Sequence, residues 1–224
     1  MKFNDYKYVR PDVDSIRKQF LSLIEKFENA SNVEEQSEVM KEVNKIREEV
    51  ETLGNIAYVR HSIDTEDKFY EGEQEFLDEN MPLFTEVVVK YYGALVNSKY
   101  RSELEKIWGK HLFNLAELEL KTFSPEVIED LIKENKLVSE YDKLVASAKI
   151  MFDGEERNLS QMQPFMQSKN RDIRKNAYEA YISFFSENED KFDEIYDQLV
   201  KVRDGIAKKL GFKNFVELGY ARMS

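Results

Sequence analysis

Apolar positions recur with helical spacing along almost the whole chain. Ile16, Phe20, Leu23, Ile24 and Phe27 fall at i, i+4, i+7, i+8 and i+11, the stripe of an amphipathic helix that follows an extended lead-in, Tyr8-Val9-Arg10-Pro11. Val39, Val43, Ile46, Val50, Leu53 and Ala57 form a second stripe at alternating four-three spacing. It lasts under three heptads, which suits antiparallel packing in a bundle rather than a free coiled coil. Ser31 with Glu34 reads as the capping box that starts this helix, and Asp64-Thr65 interrupts it and caps the next.

The third helix runs from about Glu66 towards Val96, and Pro82 should kink or divide it because proline removes a ladder hydrogen bond. Arg101 to Lys121 reads as one or two shorter helices punctuated by Gly109. Ser124-Pro125-Glu126 combines a cap, a proline at the first helical position and an acid at the positive dipole end, and starts a helix reaching about Ile150. The helical pattern then breaks over Ile150 to Arg157, where Asp153-Gly154 marks a tight hairpin turn. Beyond Ser160, taken as another cap with Pro164 in the first turn, Ile173, Ala177, Ala180 and Phe184 form one stripe. Phe192, Ile195, Leu199, Val202, Ile206 and Leu210 form the last, ended by Lys208, Lys209 and Gly211. The predicted fold is all-α, a multi-helix bundle with at most one small β-ribbon near 150–158.

Composition narrows the function. The 224 residues carry 33 Lys and Arg against 44 Asp and Glu, a net charge of -11, so the chain lacks the basic surface on which nucleic-acid affinity depends. The absence of cysteine excludes disulfides, iron–sulfur clusters and thiolate zinc sites, and fits a cytoplasmic location. The N-terminus has no apolar signal core, and the most apolar stretch, Leu83 to Val96, is interrupted by Glu86 and Lys90 and too short to span a bilayer. Neither a nucleic-acid nor a membrane partner is expected.

Candidate chemistry is sparse. The two histidines, His61 and His111, lack a second histidine one turn on, and no His-Glu-x-x-His occurs. No catalytic residue and no metal ligand is assigned, and no substrate-binding residue is identified. Residues 64–80 hold eight acids against Lys68 alone, a net -7, with Glu71, Glu75, Asp78 and Glu79 on one helical face. That face is read either as solvated or as a field attracting cationic ligands such as peptide amino ends. Phe69, Phe76, Phe84 and Tyr91 follow apolar helix positions and are assigned to the core.

Several segments, taken in order, resemble the N-terminal half of an oligoendopeptidase F-like enzyme of the thimet-type zinc metallopeptidases. They are Tyr8-Val9-Arg10-Pro11-Asp12, Val59 to Thr65 with Phe69-Tyr70, Ala146 to Glu155, Asn170 to Ala177, Leu199 to Arg203, Ala207 to Phe212, and Asn214-Phe215 with Gly219 to Met223. One departure is Asn170, where the family would carry Asp; either side chain can cap a helix. The resemblance implies a larger, mostly helical, clamshell-shaped peptidase that admits oligopeptides to a deep channel. Its zinc is held by two His of a His-Glu-x-x-His motif and a later Glu, all beyond the position of Ser224. On this reading residues 1–224 are the helical, non-catalytic N-terminal region, truncated before the zinc-binding domain. The chain alone is then inactive and holds no cofactor, and its partner is the missing C-terminal catalytic half. That half should cover an apolar surface formed by Phe212, Phe215, Val216, Leu218, Tyr220 and Met223. The alternative is a stand-alone acidic helical binding or adaptor module.

Overall fold

The computed structural model describes residues 2–223. Its helices are α1 (Val13–Glu28), α2 (Val33–Ile63), α3 (Lys68–Val96), α4 (Arg101–Trp108), α5 (Lys110–Thr122), α6 (Ile128–Ala146), α7 (Leu159–Met166), α8 (Arg171–Glu187), α9 (Glu189–Lys209) and α10 (Phe215–Met223). A ribbon of β1 (Ile150–Phe152) and β2 (Glu155–Arg157) lies between α6 and α7. The predicted helical bundle with one small ribbon is the observed fold.

The stripes of α1 and α2 meet α3 in the main core. Phe20 and Phe27 are fully buried, with Phe20 edge-on to Phe84 and Tyr91 at centroid distances of 5.6 and 6.3 Å. Val39, Val43, Val50 and Ala57 from α2 are buried as their spacing requires. Phe84 and Tyr91 join this core, but Phe69 is 57% exposed, edge-on to Tyr70 on the surface, so its assignment to the core is corrected. The apolar residues of α6, α9 and α10 form a second cluster, and those of the ribbon, α7 and α8 a third. Ile173, expected on the buried stripe of α8, is exposed, while Ala177 and Phe184 are buried.

Several helix starts differ from expectation by a few residues. Asn32, not Ser31, caps α2, accepting from the Glu35 N–H at 2.8 Å, while the Glu35 carboxylate accepts from the Ser31 N–H. Ser31-Asn32 and Glu34-Glu35 offer two registers of the same template, and the second is the one used. Asp67 caps α3 in place of Asp64-Thr65, and Asn158 with Gln161 forms the capping box of α7 in place of Ser160. Ser124 makes no side-chain cap; a short 3-10 turn, Pro125–Val127, leads into α6, which ends at Ala146 rather than near Ile150. Gly109 separates α4 from α5 at φ 87°. Asp153 and Gly154 both have positive φ, 54° and 79°, as a two-residue hairpin loop of this twist demands.

Pro82 does not divide α3, which is continuous through it. The ladder bond that proline cannot donate would have gone to the Asp78 carbonyl. Asn135 of α6 takes that place, its Nδ2 donating to the Asp78 oxygen at 3.1 Å. The broken ladder has become a cross-link between helices.

Candidate functional site

The lead-in Tyr8-Val9-Arg10-Pro11 packs along α3 through one buried acid. Glu73 is 4% exposed and accepts from the Tyr8 hydroxyl at 2.6 Å and from the Arg10 guanidinium at 2.6 to 3.1 Å. The Arg10 guanidinium lies 4.6 Å above the Phe76 ring. The Arg10 hydrogen bonds hold the Glu73 carboxyl below its ordinary range against the opposing effect of burial, and burial pushes the Tyr8 hydroxyl upward.

The acidic stretch of 64–80 is in part a solvated face, with Asp64, Glu66, Glu75 and Glu79 exposed, but much of its charge is paired. Glu71 lies 2.7 Å from Lys143 and 2.8 Å from Lys68, which pull its carboxyl down to about 2. Glu79 pairs with Lys136 at 2.6 Å and Glu66 with Lys149 at 3.3 Å. Asp78 is buried, accepting from Ser139 Oγ at 2.6 Å and Gln74 Nε2 at 2.9 Å, and burial raises its carboxyl. Glu75 alone on that face stays exposed with no such partner among the described residues. Four of the eight acids are thus ion-paired: Glu71 and Glu79 with lysines of α6 across a polar seam, Glu66 with Lys149 and Glu73 with Arg10.

Beside that seam opens a cleft of about 770 Å³. Glu51, Gly54, Asn55 and Tyr58 of α2 form one wall, and Leu77 and Met81 of α3 line it with Gln74 and Asp78. Leu131, Glu134, Asn135, Val138, Ser139 and Asp142 of α6 form the other wall, with Arg222 of α10 at its edge. Glu134, whose side chain is 10% exposed, accepts from Arg203 Nε at 2.6 Å and from Arg222 Nη1 at 3.0 Å. Both guanidiniums also sit over the Phe215 ring, at 5.5 and 5.9 Å. This clamp ties α9 and α10 to α6. Asp142 faces no hydrogen-bond partner among the described residues, and burial raises its carboxyl.

His61 continues the α2 stripe, four residues after Ala57, and is 3% exposed with no partner for Nε2. Its nearest charges are Lys143, Glu71, Asp78 and Asp142, and burial lowers its pKa, favouring the neutral ring. His111 is exposed on α5. The described residues contain no group of three or more His, Cys, Asp or Glu arranged to hold a metal ion, so they do not fit a zinc site. No described helix is long and apolar enough to cross a membrane.

The acids that matter here, Glu134 and Asp142, were missed by reading apolar spacing alone. Both occupy stripe positions of α6, in the series Val127, Leu131, Glu134, Val138, Asp142. A charge on an apolar stripe is the signal that marks them.

Residues 3–123 match the family model described as the peptidase M3 N-terminal domain. The chain belongs to the M3 peptidase family. Its match ends at Phe123, just after α5, the helix that carries the last residues of the main core. Three solved structures of the family's oligopeptidases align with nearly the whole chain. One, an X-ray structure at 3.1 Å assigned as oligoendopeptidase F, is 52% identical with a TM-score of 0.97, covering 100% of this chain and 40% of that one. Another, PZ peptidase A solved with an inhibitor, is 58% identical with a TM-score of 0.96, over 99% and 40% of the two chains. A third, assigned as oligoendopeptidase F from Bacillus anthracis str. Ames, is 56% identical with a TM-score of 0.97, over 100% and 41%. No curated protein matches the chain. The M3 chain described here therefore spans about 40% of the length of the structures it matches, and its fold is the N-terminal part of an oligoendopeptidase-type M3 peptidase.

The segments that carry the resemblance acquire structural roles. Tyr8 and Arg10 hold Glu73, and Arg203 and Arg222 hold Glu134. Asn170 caps α8, accepting from the Asp172 N–H at 2.9 Å, as an Asp would. The apolar group of 212–223 is divided rather than uniformly exposed: Leu218 is fully buried, Phe212 and Phe215 pack on the second cluster, and Val216, Tyr220 and Met223 are 63%, 72% and 78% exposed.

Proposed function

We propose that residues 1–224 form the non-catalytic N-terminal wall of a zinc-dependent oligopeptide-cleaving endopeptidase. In that protein this region shapes the peptide channel, while the zinc and the residues that activate water lie in a C-terminal part. Alignment of the whole chain with 40–41% of three oligopeptidase structures, at 52–58% identity, carries this reading. Zinc bound in the other part would act as a Lewis acid on the scissile carbonyl and its attacking water. This chain's own contribution is positional. The seam between α3 and α6, and the Glu134 clamp, hold a concave wall of mixed apolar and acidic character against which a peptide can lie. The cytoplasm, which is reducing, suits a chain without cysteine.

Complementation tests the reading. The chain is mixed with, or co-expressed beside, the segment of the Bacillus anthracis oligoendopeptidase F that follows its matched region. Cleavage of a fluorogenic oligopeptide, abolished by a zinc chelator, is expected only with both parts present. Chelator-sensitive cleavage by the chain alone would overturn the assignment. So would failure of the mixture to form a complex when each part is folded. The DNA downstream of Ser224 offers a second check: a reading frame continuing into His-Glu-x-x-His is expected.

A further inference from the structure

The cleft between α2, α3 and α6 contains four carboxylates, and they are not equivalent. Asp78 accepts from Gln74 and Ser139, and Glu134 is shared by Arg203 and Arg222. Both are buried and satisfied. Asp142 has no hydrogen bond or ion pair with any described residue, and the titratable group close to it is His61, whose burial favours the neutral ring. Glu51 has only a loose contact, 3.7 Å to Arg47, and is 56% exposed. Tyr58 adds a half-exposed aromatic ring to the same wall, and Leu77, Met81 and Val138 give the cleft an apolar surface.

Each alternative ligand class meets an obstacle. An anion would find one cation, Arg222, with Nη1 engaged by Glu134 and only Nη2 unpartnered, among four carboxylates. A bare metal ion would find no group of three donors among the described residues. A purely apolar group would leave Asp142 half-buried and unpaired, at a desolvation cost. A cation on an aliphatic stem meets none of these. Lysine and arginine side chains lay their methylenes on apolar surface and keep the charged head at a carboxylate or an aromatic face.

We propose that this cleft recognises a basic side chain of a peptide, with Asp142 and Glu51 supplying the negative charge, Tyr58 the aromatic face, and Leu77, Met81 and Val138 the surface under the stem. The inference rests on the peptide-channel reading above and adds a specificity determinant to it. It also moves the cation-attracting role from the 64–80 face, where half of the acids are already ion-paired, to Asp142 of α6 and Glu51 of α2.

Fluorescence anisotropy on the full 224-residue chain tests it, using a labelled Leu-Arg-Leu hexapeptide and its Leu-Gln-Leu counterpart. The arginine peptide should bind about tenfold more tightly, the discrimination one partly desolvated charge pair provides. Asp142→Asn should abolish most of that preference while leaving the glutamine peptide unchanged, and Asp142→Glu should restore it. Asp193→Asn, an exposed acid outside the cleft, should change nothing. Gly54→Phe should block both peptides, because an added Cβ at Gly54 meets no atom within 4 Å and the ring can project into the cleft. Circular dichroism of each variant separates lost binding from lost fold. Equal binding of both peptides, with Asp142→Asn silent, overturns the basic-residue assignment and leaves the channel reading standing. Binding that persists in a folded Gly54→Phe variant places the peptide elsewhere and overturns the site. If neither peptide binds, both readings of the cleft fall, while the complementation experiment still judges the family assignment.

Discussion

In residues 3–123 five helices close around one cluster of fifteen buried apolar side chains, whereas in residues 124–223 the buried side chains divide between clusters of eight and six. The first region brings Phe20, Phe27, Phe84, Phe113 and Tyr91 into a single interior. The second spreads helices over two small interiors and joins them to the first with polar contacts. These are Asn135 on the Asp78 carbonyl, Ser139 on the Asp78 carboxylate, Lys143 on Glu71 and Lys136 on Glu79, while the double guanidinium on Glu134 binds the second region to itself. A dense apolar core tolerates loss of polar contacts, whereas a thin one depends on them. The cleft lies along the join, where apolar packing gives way to hydrogen bonds.

The sharpest way to break this contrast is to empty each kind of interior. Phe20→Ala removes a fully buried ring that touches Phe84 and Tyr91, and should cost about 3–5 kcal/mol in denaturant unfolding, with the whole chain affected. Met162→Ala, in the smallest cluster, should raise hydrogen exchange in the ribbon, α7 and α8 while residues 13–122 keep their protection. Uniform loss of protection in both variants would show one cooperative unit and defeat the comparison.

Glu134→Ala should cost less, about 1.5–3 kcal/mol, since it strips two guanidiniums of a shared, nearly buried acceptor. The effect should be local, with exchange rising first over α10. Asn135→Ala should cost about 1 kcal/mol by leaving the Asp78 carbonyl without its donor. An Asn135→Ala variant as stable as the parent would mean that the seam contributes nothing there.

The smallest effects are those of pH, and they have opposite signs in neighbouring places. Arg10 holds Glu73 below the ordinary carboxylate range, so its stabilisation is present above the unfolded value and disappears as pH falls through the folded one. Burial raises Asp142, so its ionised form destabilises the fold at neutral pH, and that burden lifts as pH falls through its raised value. Thermal melts should therefore place Asp142→Asn slightly above the parent at pH 7, with the gap closing on acidification. Glu73→Gln should lie below the parent at pH 7 and converge with it as pH falls through the lowered Glu73 value.

Much of the fold was legible because its helices bury apolar stripes. The series of α1, α2 and α9 predicted which faces would be hidden, and Asp153-Gly154 predicted the hairpin. Helix starts were less legible because adjacent polar residues, such as Ser31 and Asn32, satisfy the same template in two registers. The candidate site was hardest to see. Its walls include Glu134 and Asp142, which stand in positions that the apolar rhythm reserves for hydrocarbon, and the guanidiniums that make Glu134 tolerable come from sequence positions 69 and 88 residues away. No local pattern encodes a partner at that distance.

The proline in α3 has one further consequence, for motion. Asp78 is held by α6 at two levels, its main-chain oxygen by Asn135 and its side chain by Ser139 one turn later. Shifting α6 by one turn along α3 would set Leu131 or Ser139 opposite the freed carbonyl, and Asn135 or Lys143 opposite the carboxylate. A step towards Leu131 leaves the carbonyl without a donor, and a step towards Ser139 keeps donors at both levels but takes Lys143 from Glu71 and Lys136 from Glu79. Either slip therefore costs contacts, and the native register sets the aperture that a ligand meets.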